Sequence, residues 1–290
     1  MLNLQQKKLM PGLYLLATPI GTARDITLRA LDILASADVL VAEDTRSLKK
    51  LMEIHGVPLG ERHVLSYHDH NGGQMRPRLM GLLAEGKTMA YASEAGTPMV
   101  ADPGFDLARA AREEGHLVVS APGPSAVITA LTLGGLPTDR FFFAGFLPNA
   151  KGARKSALKE LSAVPGTLAF YESPKRVGAM LKDAAEVLGA ERQAVVCREI
   201  TKKFEETLRG SLAELAQTCA ERSLKGEIVV LIDRPRLPII QESDLETELQ
   251  ELLTSMSVRD AADTLSEKTG FARRKIYQMA LKLSDADNDA

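Results

Sequence analysis

Cysteine is scarce. The 290 residues hold two, Cys197 and Cys219, isolated from each other. That usage excludes a disulfide-stapled secreted domain and points to a reducing compartment. Long apolar runs are missing too, and none approaches the roughly 20 residues of a membrane-crossing helix. The opening "MLNLQQKKLMPG" lacks the apolar stretch of a secretory signal, so the expectation is a cytoplasmic protein with no membrane partner. No G-x-x-x-x-G-K-[ST] occurs, which leaves a nucleoside triphosphate cradle unsupported, and no G-x-G-x-x-G marks a dinucleotide fold. His63, His68 and His70 gather around Asp69, but nothing else at ligand spacing supports a metal, and none is expected. A net charge of −2 excludes a protein coated in positive charge while leaving room for local basic patches.

What is present reads as a globular enzyme-sized chain. Hydrophobic residues make up 45% and charged residues 26%, and the length exceeds one comfortable core, so two or three domains are expected. In the first half, strand-like runs ("GLYLLA", "DVLVAE", "HVLSYH", "KTMAYAS", "HLVVSAPG") alternate with helical ones, the signature of βαβ units and a mostly parallel sheet. "LPTD" interrupts the series, with Pro137 as the candidate hinge. A second alternating set follows, with "FEETLRG" as an extra edge strand, and ends near Asp233. "RPRLP" (234–238) reads as a linker, and three helical segments close the chain. The predicted division is an N-terminal α/β domain at 11–136, a C-terminal α/β domain at 137–234 and a small helical domain at 240–284. The last two helices have helix-turn-helix spacing, although a plain helical cap fits as well.

Three loops follow strands of the first sheet: "TPIGTARDIT" (18–27), "SEAGTPMVADPG" (93–104) and "APGPSA" (121–126). In an open parallel sheet, ligands bind at the carboxyl ends of the strands. Glycine there permits close approach of a ligand to the backbone, and proline fixes the loop in advance. Such loops offer backbone amides and few fixed cations, which suits a zwitterionic ligand better than a triphosphate.

"LYLLATPIGTARDITLRAL", "AEDTR", "SEAGTPMVADPG", "APGPSA", "FYESPKR", "REITKKFEE" and "KGEIVVLI" stand in the order and spacing of one family. On these motifs the chain resembles the RsmI family of 16S ribosomal RNA (cytidine-2'-O)-methyltransferases, in the tetrapyrrole methylase superfamily. The resemblance covers residues 11 to 233 and extends over the helical tail. It implies two α/β domains with S-adenosylmethionine (SAM) in the cleft between them, a homodimer, and as substrate cytidine 1402 of 16S rRNA in the small ribosomal subunit. It places SAM contacts at Pro19, Ile20, Thr97, Pro98, Met99, Val100, Ser125 and Ala126. Tyr171, Gly226, Glu227 and Ile228 match on the adenosine side. One departure stands out: Glu94 replaces the family's usual aspartate, and we expect it to brace the loop.

For the chemistry, a ribose hydroxyl is a poor nucleophile until its proton is accepted. Glu43, Asp44, Asp102 and Glu172 are the candidate bases. Lys175 and Arg176 are candidates to stabilise developing charge or hold a phosphate. Several have a plainer reading: Glu43, Asp44 and Arg46 as a surface ion cluster, "SPKR" as a helix start. Arg46, Lys151, Arg154, Lys155, Arg198, Lys202 and Lys203 are the candidate RNA contacts, with a solvated charged edge as the alternative for the last three. Two other functions compete: methylation of a small tetrapyrrole-like substrate, and a SAM-sensing regulator whose tail, with Arg273, Arg274 and Lys275, reads nucleic acid.

Overall fold

The computed structural model describes residues 5, 8–100, 102, 104–235, 242–269 and 271–288. Residues up to Arg234 form one compact unit and those from Pro235 a second. Most of the expected linker lies outside the described residues.

The first sheet has the order β3-β2-β4-β1-β5 and all its pairings are parallel. Its strands are β1 (Gly12–Leu16), β2 (Val39–Ala42), β3 (Val64–Ser66), β4 (Thr88–Ala92) and β5 (Val118–Ala121). β1 and β4 are buried at every position. Their unbroken apolar runs follow from helices covering both faces. Alternate residues serve opposite layers: Tyr14 and Leu16 pack with α1 (Leu28–Ser36) and α2 (Thr45–Ile54). Leu13 and Leu15 pack with α3 (Gly72–Ala84) and α4 (Gly104–Glu113). Thr27 caps α1 by accepting from the Ala30 amide, as its position before an apolar run predicts.

α5 (Ala126–Gly134) leaves the first sheet and packs on the second. Its buried residues Val127, Ala130 and Leu131 meet Ala169, Val195, Cys197, Val229 and Leu231. A fully buried Val or Leu contributes about 1.5–3 kcal/mol, so this helix is a substantial bond between the two halves. The loop residue Ile20 joins the same cluster.

The second sheet contains β6 (Phe141–Phe146), β7 (Thr167–Glu172), β8 (Gln193–Arg198), β9 (Glu206–Ser211) and β10 (Ile228–Ile232), in the order β6-β7-β10-β8-β9. Only β6 and β7 are parallel; the other three pairings are antiparallel. "FEETLRG" is the edge strand β9, as expected. The far face is covered by α6 (Lys151–Glu160), α7 (Val177–Leu188) and α8 (Leu212–Ala220).

In the second unit, α9 (Glu242–Leu253), α10 (Val258–Thr269) and α11 (Arg273–Asn288) pack around Leu245, Leu249, Ala262, Leu265, Ile276 and Ala280. Arg273 is engaged there with Asp263.

Candidate active site

The three glycine- and proline-bearing loops interlock at the carboxyl edge of the first sheet. Thr18 and Gly96 exchange backbone hydrogen bonds of 3.0 Å in both directions. The Thr18 hydroxyl donates to the Ser93 carbonyl at 3.1 Å, and the Ser93 hydroxyl to the Gly96 carbonyl at 2.5 Å. Thr97 Oγ1 donates to the Pro124 carbonyl at 2.9 Å, which fastens the second loop to the third. Gly96 has a φ of +79°, and a Cβ there would lie 3.2 Å from Ile20 Cγ2. The glycine expected to admit a ligand therefore serves loop packing: its bare side faces Ile20. Met99 also holds a positive φ, +69°, in the left-handed region that side chains rarely adopt. Ile20 and Pro98 are buried, while Pro19, Thr97, Met99 and Val100 are half-buried.

Ser125 is the N-cap of α5, yet its side chain caps no amide. The helix thus begins beside the loops with backbone donors free of a side-chain partner. The Tyr171 phenol, pushed up by burial, bonds the Val127 backbone, and its ring packs edge-on to Phe143 at 4.9 Å. Gly226 backs onto the Glu199 carboxylate. Glu227 accepts from Lys202 at 3.0 Å. Ile228 sends its side chain into the layer beneath α6, α7 and α8, away from α5, so only its backbone serves this edge.

The candidate bases separate by environment. Glu43 follows β2 and is half-buried. Burial first, then the negative charges of Asp102, Glu94 and Asp69, push its carboxyl above the ordinary range. Asp44 is the N-cap of α2, with Oδ1 accepting from the Arg46 amide at 2.8 Å, and these bonds hold it below the ordinary range. Capping occupies its carboxylate. Asp102 Oδ1 accepts from the Tyr91 hydroxyl at 2.8 Å and from the Gly104 amide at 2.7 Å, which ties the second loop to β4 and the start of α4. Glu172 lies on the other sheet, at the end of β7, and is 3% exposed. Its Oε1 accepts from the Ser173 amide at 2.7 Å and its Oε2 lies 3.1 Å from Arg176. Arg176 Nη2 also donates to the Leu147 carbonyl at 2.6 Å, so its guanidinium is a brace. Lys175 is exposed beside it. Glu43 and Asp102 are brought together; Asp44, Glu172, Lys175 and Arg176 are not part of that group.

Glu94 does not brace its loop. Among the described residues its side chain makes no hydrogen bond or ion pair, and Ser93, Thr97 and Asp102 do the bracing.

The basic candidates divide too. Arg154 is 7% exposed and paired with Asp183 at 2.6 Å, while also donating to the Asn149 carbonyl at 2.9 Å. A side chain spent on a buried ion pair has no surface to offer RNA, which corrects that assignment. Lys155 pairs with Glu186, Arg198 with Glu206, and Lys202 with Glu199 and Glu227. Lys203 lies over the Phe204 ring. Arg46 is exposed, 3.6 Å from Asp44, and Lys151 is exposed.

Sequence reasoning missed Thr18, Tyr91 and Thr201, whose contacts join segments far apart in the chain. Thr18 had a signal: a hydroxyl next to a strand end in a proline-bearing loop.

Comparison with known proteins agrees with this architecture. The profile of the Tetrapyrrole (Corrin/Porphyrin) Methylases matches residues 12–216, and that of the RsmI C-terminal HTH domain matches residues 240–284. A protein of Mesorhizobium japonicum named ribosomal RNA small subunit methyltransferase I is 43% identical, over 98% of this chain and 96% of its own. A cobalt precorrin-4 methyltransferase superposes with a TM-score of 0.59 at 18% identity, covering 76% of this chain and 94% of its own. A uroporphyrin-III C-methyl transferase from Thermus thermophilus, solved with S-adenyl homocysteine, gives a TM-score of 0.54 at 20% identity, covering 76% and 96%. These two structures share the fold. The extent of the methylase match and the near-complete coverage at 43% identity show that the chain belongs to the tetrapyrrole methylase family and, within it, to the ribosomal RNA small subunit methyltransferase I group.

Proposed function

We propose that this chain transfers the methyl group of SAM to the ribose 2'-hydroxyl of cytidine 1402 in 16S rRNA of the small subunit. The observation that carries this reading is the interlocked loop set at one sheet edge with Glu43 beside it. The residues fit SAM. Backbone donors at the start of α5 suit its carboxylate, and Tyr171 and the Gly226–Ile228 backbone offer a flat, partly apolar surface for adenine. Bound SAM supplies a methyl group made electrophilic by the sulfonium.

The protein's own task is then positional. The loops would hold the donor, and the enzyme would have to bring the acceptor oxygen to it in a reactive orientation. Glu43 would accept the proton that the acceptor hydroxyl loses. Its neighbours raise its basicity toward working pH, where general bases are most effective. Asp102 positions rather than reacts, because its Oδ1 is held by Tyr91 and Gly104.

The relatives' name supports a small-subunit RNA substrate over a small tetrapyrrole, and so does a helical unit that a small substrate has no need for. The protein is further read as a cytoplasmic homodimer. Phe141, Phe142 and Phe146 are 44%, 46% and 57% exposed on the edge strand β6, an apolar surface that a second copy would cover. Incubation with labelled SAM and small subunits from a strain lacking the protein tests the reading. RNA labelling supports it, and absence of labelling with intact SAM binding overturns it.

A further inference from the structure

Beside the loops lies a cavity of about 190 Å³, between the segment after β1, the segment after β4 and α2. Thr18, Pro19 and Gly21 form one wall, Ser93 and Glu94 another, and Leu48, Leu51 and Ile54 of α2 an apolar third. Drug-sized ligand pockets run from about 300 Å³ upward, so this space is small for SAM or a macrocycle and has room for one nucleobase.

Its polar groups are mostly spoken for. Thr18 and Ser93 spend their hydroxyls inside the loops, and Ser47 donates to Asp44 at 3.2 Å. Two charged groups remain. Glu94 and Lys50 line the same cavity, yet among the described residues neither makes a hydrogen bond or ion pair, with each other or elsewhere. Both are solvent-exposed, so a ligand carrying a donor and an acceptor can engage them without breaking an existing pair.

We propose that this cavity receives the base of the acceptor nucleotide, turned out of its stack, with Glu94 accepting from its exocyclic amino group and Lys50 holding the adjoining phosphate. The proposal rests on the RNA reading above and adds how the base is chosen. A carboxylate is an acceptor only and calls for a donor. Cytosine presents the N4 amino group, which Asp or Glu side chains accept from; uracil presents a carbonyl there. Enzymes acting on a nucleotide commonly extrude it and read the freed edge in this way. Glu94 is also close enough for its charge to help push up the Glu43 carboxyl, so the base-reading carboxylate and the proposed proton acceptor lie in one acidic cluster. The unbraced glutamate thereby acquires a role: its extra methylene carries the carboxylate farther from the loop.

The test uses the full-length protein, SAM and small subunits carrying either cytidine or uridine at the target position. Glu94→Gln should lower kcat/KM on the cytidine substrate at least tenfold and narrow the cytidine-over-uridine preference, because an amide presents both donor and acceptor. SAM affinity should not change. Glu94→Asp should retain the preference, and Lys50→Ala should raise KM with the base preference intact. A Glu94→Gln protein with wild-type kcat/KM and preference overturns the pocket while leaving the methyltransferase reading in place. Loss of SAM affinity in that variant assigns the cavity to the cofactor and overturns it too. A wild-type protein that labels neither substrate overturns both readings.

Discussion

Thr22 and Thr201, 179 residues apart, hold each other by two hydrogen bonds: the Thr22 amide donates to Thr201 Oγ1 at 3.1 Å, and Thr22 Oγ1 donates to the Thr201 carbonyl at 2.6 Å. Thr201 holds a φ of +64°, and a Cβ on Gly21 would lie 2.5 Å from its hydroxyl. A non-glycine residue in that region costs about 1–3 kcal/mol, so the surrounding contacts must fix it. The clasp joins the loop after β8 to the loop that carries Pro19 and Ile20. Thr201→Val deletes an acceptor worth about 1 kcal/mol. We expect SAM affinity to fall severalfold by calorimetry, with Thr201→Ser near wild type. Wild-type affinity in the valine variant would remove the clasp from the account.

Glu43 should show opposite effects on activity and stability. Its folded-state pKa is raised, so folding takes up a proton in the window between the ordinary glutamate value and the raised one. The charged carboxylate therefore costs stability above the raised value, and that cost vanishes below the ordinary one. Glu43→Gln should raise the Tm at neutral pH and leave it unchanged in acid. The same variant should slow single-turnover methylation about 10²-fold or more, the usual contribution of a general base. A destabilised or fully active Glu43→Gln protein would contradict the assignment.

The pH–rate profile gives an independent reading. A base must be deprotonated, so the rate should fall on the acid side through the raised Glu43 pKa. Asp102→Asn removes a neighbouring charge while its amide oxygen still accepts from Tyr91 and Gly104. Glu43 should then titrate lower, and the acid limb should move to lower pH. An unmoved limb means that another group sets the profile.

Arg154 and Asp183 offer a stability test. Removing one partner of a buried pair leaves an uncompensated charge and costs about 3–5 kcal/mol. Arg154→Ala should therefore lower the denaturation midpoint sharply, and Arg154→Met with Asp183→Leu should recover most of it. If Arg154→Ala stays as stable as wild type and loses only RNA affinity, the arginine is a surface contact after all.

Much of this was legible in the chain. Apolar runs alternating with capped helices identified the first sheet and its parallel sense, and small-residue loops identified the edge where β1, β4 and β5 end. The antiparallel character of the second sheet was not legible. β10 inserts between β7 and β8, and local patterning carries no strand direction. Arg154 was misread because Lys151, Lys155 and Lys159 surround it, although Leu158 one turn later marks its face as buried. That Glu94 braces nothing escaped because family position says which residue stands in a loop, and only the fold shows what it touches.

The most direct measurement of the central claim is digestion of labelled small-subunit RNA to nucleosides, followed by mass spectrometry of the labelled product. The account predicts one labelled species, 2'-O-methylcytidine, dependent on Glu43. A label on a base, on another nucleoside or on a small tetrapyrrole in place of RNA would contradict it.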